Sequence, residues 1–377
     1  MKITNVTAYP VDDGKPALFV VVDTDSGLSG VGEAGATPQM LAIATYVEAH
    51  LKPFLLGEDP FRIEHLWQRM FRGGFFPGGN VVSSAVSAID IALWDIKGQA
   101  LGVPVYELLG GRARDRVVCY PHNGGGTIEQ LVESCLRTKE QGWKFVRFSP
   151  NTAGNLFEPA RAVRESIKMV EAVRNAVGEE IEICFDVHTR LDPADTIRFC
   201  RAVEPYHPFF IEDPIRSENA ASFHHLRRHV SVPLAAGEQY ASKWEFRELI
   251  ENDLIDYART DLCIVGGITE AKKVAGWAET HYIKLATHNP LGPVSSAACL
   301  ALNLACNNVG VMEQPQQPGT ALTNVVPVQM TWEDGYLLPP ERPGLGLVFD
   351  REAAARLPCH PVPRDHLRRE DGSFTNW

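Results

Sequence analysis

No stretch of about 18 consecutive apolar residues occurs anywhere in these 377 residues, so no helix is expected to span a membrane. The opening MKITNVTAYPVDDG has neither the apolar core nor the small-residue cleavage site of a secretory signal. The eight cysteines, at 119, 135, 184, 200, 263, 299, 306 and 359, never form a C-x-x-C pair. That excludes a zinc ribbon and a dithiol redox motif, and free thiols in a reducing cytoplasm are the expectation. Basic residues are in deficit, 36 against 47 acidic for a net charge of −11, and no basic patch carries interleaved aromatics. Nucleic acid is therefore excluded as a partner, and an anionic substrate would need a local cation to bind. Low-complexity segments are also missing.

What is present divides the chain. Its length exceeds the ~250–300 residues at which a single core stops growing, which favours two domains. In the first third, PALFVVVDTDSGLSGVGEA reads as strand, turn, strand. NVVSSAVSAIDIALWDIKGQALG places Val86, Ile89, Leu93 and Ile96 at helical spacing and stops at Gly102 before Pro104. Residues 1–112 are thus expected to form a small α+β domain, with LLGGRARDR as the linker. From Val117 onward, β-rich runs recur, each followed by a helical pattern: VVCYPH, FVRFSP, IEICFDVH, FFIED, PLAAGE, YARTD, IKLATH and VGVMEQ. A strand–loop–helix–loop unit of typical lengths takes roughly 25 residues. Residues 113–335 are therefore expected to form a (β/α)8-type barrel. Residues 336–377, Pro-rich and then charged, are expected to pack back on the first domain and complete it.

The polar residues that end the later runs keep this beat. Asp186, Glu212 and Glu238 are spaced 26 and 26; Asp261, His288 and Glu313 follow after 23, 27 and 25. Any one of them could be a helix N-cap. Six in phase, in a fold whose active sites lie at the C-terminal ends of the strands, point to one shared bowl. Three converging carboxylates cannot all stay ionised without a counter-cation, and hard oxygen donors suit Mg²⁺. The H-x-H of zinc hydrolase barrels is missing; the first run offers only His122. The cluster His224, His225 and His229 falls within a helical segment and reads as a solvated face. His188 follows Asp186 by two and shares its inward face, a candidate general acid. Asp261 and His288 end consecutive runs, so their side chains can meet, and a carboxylate on one imidazole nitrogen raises the basicity of the other. One base, one acid and one cation fit abstraction of a proton beside a bound carboxylate, followed by loss of a β-hydroxyl.

These stretches resemble the enolase superfamily, mandelate-racemase subgroup, and within it the galactonate dehydratases. The resemblance rests on MKITNVTAYP, SAIDIALWDIKGQALGVPVYELLGG, FDVHTR, PFFIEDP, PLAAGEQ, TDLCIVGGITE, THNPLGPVSSAACLALN and MEQ, and so runs along nearly the whole chain. It implies that Asp186, Glu212 and Glu238 bind Mg²⁺ and that His288 with Asp261 takes the C2 proton of an aldonate. It further implies that His188 protonates the leaving C3 hydroxyl and that Glu313 assists at the substrate carboxylate, giving a 2-keto-3-deoxy acid. The loop GGFFPGGN at 73–80 would close the mouth. YPHNGG with His122, Arg147 on the second run, and DVHTRLDP resemble instead the mannonate dehydratases of the subgroup, and make Arg147 and His122 candidate substrate contacts. Those enzymes pair the Arg with a Tyr in the following loop, and RFSPNTAGNLFEPARAV has no Tyr. A D-galactonate-like substrate is therefore favoured, with mannonate, gluconate and an epimerase or cycloisomerase reaction as alternatives. An epimerase needs a second base, and Arg147 and Ser149 stand where the subgroup carries a K-x-K pair; Arg is a poor base. A catalytically silent binding protein on the same scaffold is the alternative from another class. Barrels of this kind often assemble, so a homo-oligomer is expected.

Overall fold

The computed structural model describes residues 1–152, 154–360 and 366–375; residues 361–365 and 376–377 of the C-terminal segment lie outside the described residues. The first sheet is antiparallel, in the order β1 (Ile3–Asp12), β2 (Pro16–Thr24), β3 (Ser29–Ala34). The turn expected at DTDSG joins β2 to β3, with Gly27 at φ 82. A helix over Asn80–Leu101 covers the sheet, and Gly102 ends it at φ 71, a left-handed cap that glycine adopts without penalty. The contact is closer than side chains would allow. A Cβ on Gly32 would lie 1.8 Å from the carbonyl oxygen of Ala88, and one on Gly30 would lie 2.1 Å from that of Ala92. The two glycines let the helix settle directly on β3, and Val20, Val22, Ile89, Leu93 and Trp67 bury together around that contact.

The second sheet holds the eight runs read from the sequence, as parallel strands: β4 (Val117–Tyr120), β5 (Phe145–Phe148), β6 (Glu182–Asp186), β7 (Phe210–Glu212), β8 (Leu234–Ala236), β9 (Tyr257–Ala258), β10 (Lys284–Thr287) and β11 (Val309–Glu313). Neighbours pair from β5 round to β11 and on to β4, and a parallel bridge between His122 and Arg147 closes the ring. At the opposite end of β4, a two-stranded hairpin, β12 (Trp332–Glu333) and β13 (Tyr336–Leu337), pairs antiparallel with Val117 and Val118. The barrel is thus closed at its C-terminal mouth and wedged by a hairpin at its base.

Two features depart from the even strand–helix rhythm. The helices after β7 and β8 are short, Ser222–Arg227 and Arg247–Glu251, and β11 is followed by the hairpin instead of a helix. After the hairpin, the helix Arg351–Arg356 lies on the first sheet: Arg351 pairs with Asp23, and Pro358 bridges Val11. Farther on, Arg368 bridges Leu156 in the loop after β5. Phe75 and Phe76 of the 73–80 loop pack edge-to-face on one another and are each 83% exposed, so they are not folded down onto the barrel. All eight cysteines are buried free thiols, and no described helix is long and apolar enough to cross a membrane.

One side chain from each parallel strand fills the barrel interior: Tyr120, Phe145, Cys184, Phe210, Ala235, Tyr257, Ala286 and Val311. Large rings from some strands meet small residues from others, the packing by layers that fills such barrels. This apolar plug is the floor on which the site stands.

The glycine contact in the first domain is the most easily tested feature of this fold. Gly32→Ala is expected to lower unfolding free energy in urea by ~1–3 kcal/mol, the usual cost of overpacking a close contact. A loss below about 0.5 kcal/mol, the range of neutral surface changes, would show that the helix can move away freely.

Candidate active site

Side chains alternate along a strand, so the residue two beyond each member of the apolar layer returns to the inner face. On seven strands that residue is ionisable: His122, Arg147, Asp186, Glu212, Arg259, His288 and Glu313. On β8 the position belongs to Gly237, and Glu238 comes one residue later. Gly237 sits at φ 123, and a Cβ there would lie 2.4 Å from the Phe246 ring, so only glycine makes the turn that swings Glu238 inward. One ring of ionisable groups thus lies directly above one ring of apolar ones. Every site residue taken from the sequence is in it or beside it.

Asp186, Glu212 and Glu238 each present one oxygen, and the three oxygens lie within 4.8 Å of one another. Asp186 and Glu212 are fully buried. Glu212 Oε1 accepts from Arg259 Nε at 2.6 Å, while its Oε2 is buried without a partner. Burial and the neighbouring carboxylates Asp213, Asp186 and Glu212 push Glu238 well above the usual carboxylate range. Burial likewise raises Glu212, only partly offset by Arg259. Burial acts on Asp186 in the same sense, but the charges of His188 and Arg147 overcome it and hold this carboxyl low. Three hard oxygen donors, two of them unwilling to ionise in each other's field and one with an open lone pair, form a set that a divalent cation fits.

Across the ring, His288 Nδ1 lies 2.7 Å from Asp261 Oδ2, the contact expected from consecutive strand ends. Its other nitrogen faces the carboxylate cluster, 3.4 Å from Glu238 Oε2 and 4.0 Å from Glu313 Oε2. Burial lowers the basicity of His288, but Glu313 and Asp261 more than compensate and the net shift is upward. Glu313 is fixed on three sides: His122 Nε2 at 2.6 Å, Arg259 Nη2 at 2.5 Å and the backbone N–H of Asn289 at 2.9 Å. Arg259 and His288 overcome its burial and keep it well below the usual range, so it is an anion that only accepts. His122 therefore donates to it. Burial and Arg147 lower the pKa of His122 itself.

His188 reaches the site by a different route from the strand alternation expected of it. β6 ends at Asp186, and His188 and Thr189 both take left-handed conformations, φ 53 and 57. Such residues cost of order 1–3 kcal/mol each and persist where their surroundings fix them. Here Asp186 does so, accepting the His188 backbone N–H at 2.7 Å through Oδ1 and standing 2.8 Å from Nε2 through Oδ2. Arg147 Nη2 is hydrogen-bonded to Asp186 and lies 3.1 Å from the same His188 nitrogen. His188, after the third barrel strand, thus stands opposite His288, after the seventh. Away from the mouth, His224 pairs with Glu248 at 2.7 Å and His225 touches His229, in keeping with a surface cluster.

Two residues of this site escaped the sequence reading. Arg259, fully buried, bridges Glu212 and Glu313 and donates to the Ala286 carbonyl at 2.7 Å. Its signal was available: it is two residues beyond Tyr257, in the same phase as every other member of the ring. Asp213 accepts from Gly237 N–H at 3.3 Å, and burial together with Glu212 and Asp186 pushes it up to about 8. Nothing in its position within FFIED set it apart from Glu212.

Residues 130–353 match the enolase C-terminal domain-like family, and residues 6–110 match the N-terminal domain of the mandelate racemase / muconate lactonizing enzyme family. A D-mannonate dehydratase of Caulobacter vibrioides is 35% identical, with 100% of both chains covered. A D-galactonate dehydratase family member of Streptomyces bingchenggensis is 36% identical, covering 100% of this chain and 98% of its own. Among solved structures, an enolase from Pantoea ananatis with bound D-gluconate and Mg superposes with a TM-score of 0.94 at 32% identity, covering 100% of this chain and 99% of that one.

Arg259 gives the site its sharpest stability test. Arg259→Met leaves Glu212 and Glu313 buried without their cation, and breaking a buried pair this way typically costs ~3–5 kcal/mol. Urea denaturation should read a loss of that size. A loss below about 1 kcal/mol, the value of a surface pair, would mean that the guanidinium is not what holds the carboxylates.

Proposed function

We propose that this chain, which belongs to the mandelate racemase / muconate lactonizing enzyme family of the enolase superfamily, is a hydro-lyase that dehydrates a sugar acid with the help of Mg²⁺. The observation that carries the reading is the His288–Asp261 pair at 2.7 Å, whose other imidazole nitrogen lies 3.4 Å from Glu238, one of three converging carboxylates. Asp186, Glu212 and Glu238 would hold the cation. Bound there, Mg²⁺ would polarise the substrate carboxylate and make the neighbouring C–H more acidic.

The chain's own groups account for the proton movements. Asp261 keeps the proton of His288 on Nδ1 and leaves Nε2 as the base that takes the C2 proton. Electrons of that C–H bond pass first into the substrate carboxylate, and their return forms the C2–C3 double bond as the C3–O bond breaks. His188, on the opposite side of the ring, delivers the proton that lets the C3 hydroxyl leave as water. The enol that remains gains a proton at C3 and loses one from oxygen, giving a 2-keto-3-deoxy acid. Glu313 is locked by Arg259, His122 and Asn289, and sets the edge of the pocket where the substrate carboxylate lies. Arg147, already beside His188, is placed to contact the substrate and to tune that histidine.

D-galactonate is the substrate we favour, because the loop after β5 has no Tyr to serve as an alternative base, while the His–Asp pair is intact. The names of the relatives make D-mannonate and D-gluconate the necessary comparisons. Epimerisation is less well served: the β5 position holds Arg147, which stays protonated through the working range.

A panel of these three aldonates, assayed for 2-keto acid with Mg²⁺ and with excess chelator, is expected to show turnover of at least one, lost on chelation. Undiminished turnover in chelator, or no turnover of any aldonate, would remove the reading. Within an active pair, His288→Asn is expected to abolish both product formation and C2 exchange in D₂O, a loss of ~10²–10⁴-fold for a positioned base. More than a tenth of normal activity in that variant would place the base elsewhere. His188→Asn should stop product formation but retain C2 exchange, read by NMR; normal product formation would reject His188 as the acid.

A further inference from the structure

The two halves of the histidine–aspartate pair lie on different strands, and each strand runs by a short loop into a helix: β9 into Gly267–Glu279 and β10 into Pro293–Leu304. Four backbone N–H groups at a helix start need partners, usually supplied by the side chain of the N-cap residue. In both of these helices the N-cap residue is a glycine, Gly266 and Gly292, and has no side chain to offer. The missing carboxylates come from the N-terminal domain. Asp90 Oδ2 accepts from the Thr269 backbone N–H at 3.0 Å, and Asp90 Oδ1 from the Thr269 hydroxyl at 2.5 Å. Glu33 Oε1 accepts from Gly292 N–H at 2.6 Å, and Glu33 Oε2 from Ser295 N–H at 2.8 Å. Both carboxylates are fully buried.

We propose that Glu33 and Asp90 are positioning residues: each caps, from the other domain, the helix that follows one half of the Asp261–His288 pair, and together they set the distance between its halves.

The surrounding contacts agree with this. A Cβ on Gly267 would lie 2.2 Å from Asp90 Oδ2, and one on Gly292 would lie 2.7 Å from Glu33 Oε1, so the glycines make room for a cap arriving from outside. The loops themselves are held as well. Gly266 donates to Ser87 Oγ at 2.9 Å and accepts from Trp67 Nε1 at 2.8 Å, and Gly35 N–H reaches the Cys263 carbonyl at 2.9 Å. Cys263 N–H in turn donates to Asp261 Oδ1 at 2.7 Å, which links the clamp to the pair. On the other loop, Lys15 Nζ donates to the carbonyls of Pro290 and Leu291 at 2.6 and 2.8 Å, two and three residues from His288. A third buried carboxylate on the same helix as Asp90 provides the contrast. Asp95 accepts from Val31 and Leu345 N–H groups at 3.1 and 2.8 Å and touches neither loop.

The effect on turnover rests on His288 being the base, so the test reads the pair directly as well. In the full-length protein, Glu33→Gln, Asp90→Asn and Asp95→Asn are compared by kcat and KM on the active aldonate, by thermal stability, and by the hydrogen-bonded Nδ1–H resonance of His288 with ¹⁵N-labelled histidine. Glu33→Gln and Asp90→Asn are expected to lower kcat at least about tenfold with KM within about threefold, since small misplacements of a catalytic group are costly, and to shift or broaden the resonance. Asp95→Asn should leave kcat and resonance unchanged even where it loses comparable stability. Glu33→Asp, which keeps the charge but withdraws it, should resemble Glu33→Gln in both readouts, and it stands in if the amide variant fails to fold. Unchanged kcat and resonance in the Glu33 and Asp90 variants, or an equal kcat loss in Asp95→Asn, would overturn the proposal. A moved resonance with unchanged kcat would uphold the positioning and overturn His288 as the base.

Discussion

The ring of charges at the barrel mouth depends on Arg259. Its guanidinium is fully buried at the centre of the structure, with one edge on Glu212, another on Glu313 and a third N–H on a backbone carbonyl of the next strand. A buried ion pair is a weak source of stability in general, because desolvation offsets attraction. Its value here is arrangement. Glu313 is ionised because Arg259 faces it, and an ionised Glu313 in turn orders His122 and the Asn289 backbone and raises the basicity of His288. A lysine would supply charge but not the planar fork that spans two carboxylates and a carbonyl at once.

Even so, the site is short of positive charge. Asp186, Glu212, Asp213, Glu238, Asp261 and Glu313 crowd into a volume where Arg147 and Arg259 are the only permanent cations among the ring residues. Left without a counter-charge, burial and the neighbouring carboxylates push Asp213 up to about 8 and Glu238 well above the usual range. Protonated carboxyls are an expensive way to fill a mouth built from hard oxygen donors. A divalent cation would remove the need for those protons, and with Arg147 it would give an anionic substrate positive charge to bind in a chain of net charge −11. The same deficit that argues for a metal therefore argues for a substrate that carries a carboxylate.

Much of this was legible in the sequence because the barrel converts sequence period into geometry. Each β-rich run became a strand, and the strand-end residues Asp186, Glu212, Asp261, His288 and Glu313 met in one place. What the period leaves hidden has physical causes. Arg259 is masked by Asp261, the last ionisable residue of YARTD, although the alternation that lifts Asp186 above Cys184 also lifts Arg259 above Tyr257. Glu238 is out of phase by one residue and reaches the ring only through the left-handed turn at Gly237, a backbone effect that spacing does not reveal. His188 is delivered by two left-handed residues instead of by strand alternation. The hairpin β12–β13, of two residues per strand, is too short to show any period.

The first domain offered the least legible feature and a consequential one. Its long helix is apolar on every side, as a helix buried between two layers must be, yet it also buries Ser83, Ser84, Ser87, Asp90 and Asp95 completely or nearly so. Within one domain those polar residues look misplaced, since a buried carboxylate needs donors and the three-stranded sheet supplies few. For Asp90 the donors are at the start of the helix Gly267–Glu279 in the other domain, and for Glu33 on β3 they are at the start of Pro293–Leu304; the glycine N-caps of those two helices look equally deficient alone. Each defect is the other's complement. A buried carboxylate and an uncapped helix start both carry a cost while the domains are apart, and that cost is relieved only when they join in one register. Asp90 of that helix and Glu33 of β3 are thus what turn a generic apolar contact between two domains into a specific alignment, and the two strands that they align are the ones bearing Asp261 and His288.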